Sequence, residues 1–287
     1  MKTNVKAYAK INLALNVLGI ENGFHTLDTL VCSINLFDSI SLSKRKDKEV
    51  TVNFKGFGEG YMKAGDTTNA YKAAKLFIET FGVNGADIEI KQNIPKGSGM
   101  GGSSADLSGV LCGMQKLYKT EYDLKPLADK LGSDSGYMLE GGYARLTGRG
   151  EKIEPLTLDT KLYFVIVLND KGVNTAECYK TYDNLEFKPE CADIDSLCEA
   201  LKNGELEKIK DKCLNALYPA ATVLEPAVKE HLEAVKELSP SAASMTGSGA
   251  SVFGIFETKE LAEWAAEKLW RKFDKVLVAE SFIPNKI

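Results

Sequence analysis

The sequence predicts an α+β protein with two domains. Strand-like and helix-like segments come in blocks rather than in regular βαβ alternation. At 287 residues the chain lies where one hydrophobic core tends to give way to two. The pattern of segments also changes near residues 150–160, which sets a first domain at 1–155 and a second at 156–287.

In order, "VKAYAKINLALNVLG", "VCSINLFDSISLS" and "EVTVNF" have period-2 character and predict strands of a half-buried antiparallel sheet. "TTNAYKAAKLFIETFG" predicts a helix opening near Thr67 or Thr68 and stopped by Gly82. "ADIEIKQ" is a strand with polar alternates. Leu107, Val110, Leu111, Met114, Leu117 and Tyr118 recur at helical spacing and predict a helix over 102–119. A short helix over 124–132 follows, then the turn-rich "GSDSGYMLEGGYARLTGRGE", which ends in a strand. The second half opens with the apolar strand "KLYFVIVLND" and continues with helices near 175–184, 193–202, 205–217 and 223–237. "AASMTGSGASVFGIF" reads as strand, turn, strand; "KELAEWAAEKLWRKF" as a helix; "KVLVAESF" as the last strand.

Composition narrows the function. The net charge is −4 and no basic run occurs, so nucleic acid is not an expected partner. A small anionic substrate would have to be met by local positive charge. No sustained apolar run marks a membrane span or signal peptide. Six cysteines without a C-x-x-C pair, and only two histidines, argue against zinc and for reduced thiols in a cytoplasmic protein. His231, in a charged helix, reads as a solvated surface residue.

The densest motif is "NIPKGSGMGGSSAD", Asn93 to Asp106. Gly97, Gly99 and Gly102 match the dinucleotide spacing G-x-G-x-x-G. That reading needs a continuous apolar strand before the first glycine. "ADIEIKQ" interleaves Glu89, Lys91 and Gln92 instead. A P-loop needs a lysine after its last glycine, and Ser103 and Ser104 stand there. Phosphate binding still follows. Glycines open the backbone to anionic oxygens, and a helix start presents unpaired N–H groups. A plain serine N-cap is the simpler alternative.

Pro95-Lys96-Gly97-Ser98-Gly99-Met100-Gly101-Gly102-Ser103-Ser104 resembles the P-x-G-x-G-L-G-G/S-S-S motif of the GHMP kinase superfamily. "AYAKINLALNVLG" with "NGFHTLDTLVCSINLFD", "KLGSDSGYML" and "SMTGSGASVFGIF" resemble further superfamily stretches, in the superfamily's order. The opening is most similar to the branch that phosphorylates the 2-hydroxyl of a cytidine-diphosphate-linked small alcohol in non-mevalonate isoprenoid biosynthesis. The resemblance implies a two-domain GHMP kinase fold, with an N-terminal domain like domain 2 of ribosomal protein S5 and a ferredoxin-like C-terminal domain.

The resemblance also implies roles. ATP and Mg²⁺ would sit at Pro95 through Ala105, with the Ser104 hydroxyl toward the metal. Asn69 matches an asparagine near the adenosine, and could equally cap its helix. Asp134 would take the proton of the acceptor hydroxyl, and Lys10 beside it would stabilise the transferring phosphoryl group. His25 would bond the cytosine edge, with Phe24 and Tyr179 stacking on its two faces. Asn12, Gly247, Ser248 and Gly249 would line the acceptor side. The protein would act on a small molecule as a monomer or homodimer. A paralogous kinase for another alcohol and a non-catalytic binding protein on the same fold are the alternatives; the second has no need of the Lys10/Asp134 pair.

The chain departs from the pattern at three points. Ser103 and Ala105 stand within the loop where the branch has glycine and serine, and Phe24 replaces a tyrosine. Asp134-Ser135-Gly136-Tyr137-Met138 replaces D-V-P-F-F, which predicts a looser backbone beside the proposed base. These changes bear on the acceptor more than on the nucleotide.

Overall fold

The computed structural model describes residues 2–56 and 67–284. Its first half is organised by a long hairpin, in which β1 (Lys2–Glu21) and β2 (Phe24–Lys44) pair antiparallel along their length. Asn22 and Gly23 at its tip both have positive φ, 51° and 79°, the geometry that an Asn-Gly hairpin turn requires. The outer edge of β2 is shared by β4 (Ala86–Gln92) and β5 (Tyr143–Gly148), with β3 (Val50–Gly56) parallel to β4 and β6 (Lys152–Leu156) antiparallel to β5.

The half-buried reading fails for the middle of β1. Ala9 through Val17 are buried on both faces. Ala9, Ile11 and Leu13 belong to the larger core, while Leu15 and Val17 join the core of the second half. The strand therefore runs from one core into the other, and the functional cleft forms along it.

Helices α1 (Asn69–Phe81), α2 (Gly102–Tyr118), α3 (Lys125–Leu131) and α4 (Ser135–Glu140) belong to this half. Thr68 caps α1 by accepting the Tyr71 N–H, and Gly82 ends it in the left-handed conformation, as its position predicts. α4 was not expected, because its glycine and serine signalled a turn. Packing overrides that signal. The Ser108 hydroxyl donates to Ser135 O at 2.7 Å, and Tyr137 is fully buried with its hydroxyl donating to Gly142 O at 2.7 Å. A Cβ on Gly136 would lie 2.5 Å from Asp129 Oδ1. The glycine permits close packing there, so the expected loosening beside Asp134 is not what the structure has.

The second half holds β7 (Tyr163–Val167), α5 (Thr175–Asp183), α6 (Ile194–Asn203), α7 (Tyr218–Leu224), α8 (Ala227–Lys236), β8 (Ala242–Met245), β9 (Val252–Phe256), α9 (Lys259–Leu269) and β10 (Val276–Glu280). Its antiparallel sheet has the order β10-β7-β9-β8. With the strands taken in chain order this is 4-1-3-2, the ferredoxin-like arrangement expected. Two helices were misplaced. Residues 205–217 contain only a 3-10 turn at Leu206–Lys208, after which the chain bridges to β1 at Leu15↔Asn215. The helix expected over 223–237 breaks at Pro226, which opens α8. His231 is not solvated: it is 9% exposed and its ring meets Phe273 edge-on at 4.5 Å. Burial lowers its pKa.

Candidate active site

A cavity of about 450 Å³ opens between the two halves. The glycine loop between β4 and α2 forms one wall, with Pro95 to Gly99 and Gly101 to Ser104 lining it. Gly101 precedes α2 in the left-handed conformation, φ 75°, and no side chain caps the helix, so the serine-cap alternative does not apply. Ser104 and Ala105 N–H groups already reach Gly101 O, which leaves those of Gly102 and Ser103 free for an anion. The glycines serve packing as well. A Cβ on Gly101 would sit 2.3 Å from the Met138 side chain and 3.3 Å from that of Lys10; one on Gly99 would sit 2.1 Å from Thr246 O. Asn69 does not cap its helix; it donates to Ser103 Oγ at 2.9 Å and ties the start of α1 to the start of α2. Met100 and Ala105 depart from expectation, since both side chains are buried in the core away from the cavity. Met100 contributes its carbonyl, which accepts the Lys10 N–H at 3.1 Å.

Lys10 and Asp134 meet in this cavity. Lys10 Nζ lies 3.6 Å from Asp134 Oδ2, the lysine side chain 6% exposed and the aspartate 35%. Register shifts in β1 flank Lys10 and Asn12, as bulges commonly do beside sites that must aim side chains. The Lys10 ammonium also donates to Asn12 Oδ1. Asn12 Nδ2 donates to Thr29 Oγ1 at 2.9 Å. Asn12 lines the cavity, but its amide is engaged in holding Lys10. Asp134 precedes α4 and makes no capping bond with its side chain, so its carboxylate faces the cleft.

Tyr179, Gly247, Ser248 and Gly249 line the opposite wall. The sandwich expected from Phe24 and Tyr179 is not formed. His25 itself stacks on Tyr179, with centroids 4.5 Å apart, and its Nε2 lies 2.8 Å from Asp183 Oδ1. Phe24 is 55% exposed beneath the Arg149 guanidinium, 4.7 Å from the ring centroid. Neither Phe24 nor His25 lines the cavity, whereas Arg149 does. Sequence reasoning missed Arg149. The signal was a lone arginine between Gly148 and Gly150 in a turn beside the acidic loop.

Below the glycine loop lies a pair of buried carboxyl groups, Asp38 and Asp106. Asp38 is fully buried and accepts the Asn93 and Ile94 N–H groups at 2.6 and 2.8 Å, fixing the entry to the loop. Asp106 is 4% exposed and accepts from Gln92 at 3.3 Å. Asp38 Oδ2 and Asp106 Oδ1 find no donor elsewhere, and the two carboxyls are close enough to share a proton in a hydrogen bond. Burial, then the neighbouring Asp38 carboxylate, pushes Asp106 well above the usual carboxylate range. The folded state therefore holds a proton at pH values where an unfolded aspartate, with a pKa of about 3.9, has lost it. Stability then falls as pH rises from that unfolded value toward the raised one. Asp106→Asn should flatten this decline. Urea midpoints of both proteins across the acid-to-neutral range check it, and parallel curves would contradict it.

Donors arrayed for an anion, facing a buried lysine paired with a carboxylate, define a site for transfer of a phosphoryl group to a hydroxyl. Comparison with known proteins agrees. The N-terminal domain profile of the GHMP kinases matches residues 68–144 and their C-terminal profile residues 193–275. The chain belongs to the GHMP kinases and is a small-molecule kinase with the two-domain fold of that family. Among curated relatives, 4-diphosphocytidyl-2-C-methyl-D-erythritol kinase of Desulfitobacterium hafniense strain Y51 is 38% identical, over 93% of this chain and 91% of its own. The kinase of the same name from Clostridium beijerinckii is 32% identical over 96% and 99%. A crystal structure of 4-(cytidine 5'-diphospho)-2C-methyl-D-erythritol kinase superposes with a TM-score of 0.80 at 32% identity, covering 97% of this chain and 98% of that one.

Proposed function

We propose that the protein transfers the γ-phosphoryl group of ATP to the 2-hydroxyl of 4-diphosphocytidyl-2-C-methyl-D-erythritol, a step of non-mevalonate isoprenoid precursor synthesis in the cytoplasm. The observation that carries this reading is the buried Lys10, packed against the glycine loop and 3.6 Å from Asp134 in the same cavity. Relatives named for that acceptor along nearly the whole chain support its identity. Asp134 takes the hydroxyl proton, the freed oxygen attacks the γ-phosphorus, and the bond to the β-phosphate oxygen breaks to release ADP. Lys10 faces the negative charge spread over the transferring group. The Gly102 and Ser103 N–H groups hold the triphosphate. Mg²⁺ would be held beside the Ser104 hydroxyl, which lines the cavity, and would supply charge neutralisation for the phosphates. Arg149 adds positive charge on the side of the cytidine diphosphate. The division into 1–155 and 156–287, which falls at the last residue of β6, is part of the same proposal.

The cytidyl group is the feature to test. With ATP saturating, kcat/KM for the cytidyl-bearing acceptor should exceed that for 2-C-methyl-D-erythritol 4-phosphate by at least about 100-fold, since losing the contacts that Tyr179 and Arg149 in the cavity wall would make to the cytidine diphosphate forfeits several kcal/mol. Equal turnover of the two would remove the cytidyl assignment and leave a kinase for another alcohol.

A further inference from the structure

The free edge of β1 is where the site is assembled. Its inner edge pairs with β2, and along the outer edge three N–H groups are donated elsewhere: Lys10 to Met100 O at 3.1 Å, Asn12 to Thr246 Oγ1 at 3.0 Å, and Leu15 to Leu214 O at 2.9 Å. Two of these acceptors are backbone carbonyls. The middle one is a side chain, and it belongs to the turn between β8 and β9.

Thr246 is fully buried and does not line the cavity. Its hydroxyl accepts the Asn12 N–H and donates its proton to Gly99 O at 3.3 Å. One oxygen thus links the strand that carries Lys10 to the middle of the phosphate loop. The contact is close: a Cβ on Gly99 would meet Thr246 O at 2.1 Å, and one on Gly247 would meet Gly99 O at 2.6 Å. The Ala250 N–H donates to Gly97 O at 3.2 Å, so the two glycine turns are fastened at a second point. Asn215 braces Thr246 from behind. Its Nδ2 donates to Met245 O and Gly247 O, at 2.7 and 2.9 Å, the carbonyls on either side of Thr246.

We propose that Thr246 is a positioning residue whose hydroxyl fastens the phosphate loop to the Lys10 strand, keeping the phosphoryl donor in register with the Lys10–Asp134 pair. The proposal rests on the reading of residues 95–104 as the ATP loop. Valine has the shape of threonine and neither donates nor accepts. Thr246→Val leaves the buried Asn12 N–H and the part-buried Gly99 O without their partner and lets the loop shift against the strand. Serine keeps the hydroxyl.

The test compares Thr246→Val with Thr246→Ser in two measurements. In steady-state turnover with ATP, Thr246→Val should lower kcat by about tenfold or more, and Thr246→Ser should stay within about threefold of the parent. In amide hydrogen exchange without nucleotide, Lys10 and Asn12 should exchange faster in Thr246→Val and at the parental rate in Thr246→Ser. A serine variant as impaired as the valine variant would assign the effect to packing and overturn the proposal. So would parental exchange at both amides in Thr246→Val. If Thr246→Val does not accumulate as folded protein, Thr246→Ala against Thr246→Ser gives the same contrast. A parent that does not consume ATP would sink the functional reading alone, because the exchange measurement contains no nucleotide.

Discussion

Replacing Asp134 with asparagine should lower kcat by about 10²- to 10⁴-fold, the usual loss for a general base, with a much smaller change in the KM for ATP. Asparagine keeps the shape of the side chain and cannot take a proton. Asp134 lies 3.6 Å from Lys10 and its side chain caps no helix, so what the substitution removes from the fold is one partly exposed ion pair. The proposed nucleotide site is another part of the wall, formed by Pro95 to Gly99 and Gly101 to Ser104. A loss confined to kcat, with kcat/KM falling equally, is the signature of an interaction made only in the transition state. A kcat within tenfold of the parent would reassign the base.

The second large effect is expected at Lys10. Lys10→Met should lower kcat by about 10²- to 10³-fold, as loss of one preorganised charge at the transferring group typically does. Stability should change little. Lys10 is 4% exposed, and relief from the cost of confining an ammonium there offsets the donor that the buried Asn12 Oδ1 loses. Methionine fills similar volume without that cost. Asp134, a third exposed, remains solvated when its partner is removed. Activity and heat stability should therefore move independently. A variant that loses both in parallel would make Lys10 a structural ion-pair member rather than part of the reaction.

What was legible in the sequence was whatever the chain specifies locally. Glycines and serines at 97–104 marked the start of α2, with its unpaired N–H groups, because that geometry needs only consecutive backbone. Gly82, at the end of α1, needed no partner to be read. Elements fixed by distant contacts were misread. Leu206, Ile209 and Cys213 have helical spacing and are all buried, yet the chain turns there because Leu214 and Ala216 pair with Leu15 of β1. Ser135 and Gly136 look like a turn and form a helix because α2 and α3 cover them. Asp38 looks like an ordinary residue of an alternating strand. Its role appears only when the returning chain brings Asn93 and Ile94 onto its carboxylate. Within the site, Lys10 and Asp134 were expected to meet and do so, whereas Thr246 and Arg149 have neighbours that no linear pattern joins to them.

The most direct measurement is product mass. The protein would be incubated with ATP, Mg²⁺ and 4-diphosphocytidyl-2-C-methyl-D-erythritol, and nucleotide and acceptor followed together. The account predicts an acceptor heavier by one phosphoryl group, formed in step with ADP and abolished by Asp134→Asn. An acceptor of unchanged mass, or ATP consumption that persists in Asp134→Asn, would contradict it.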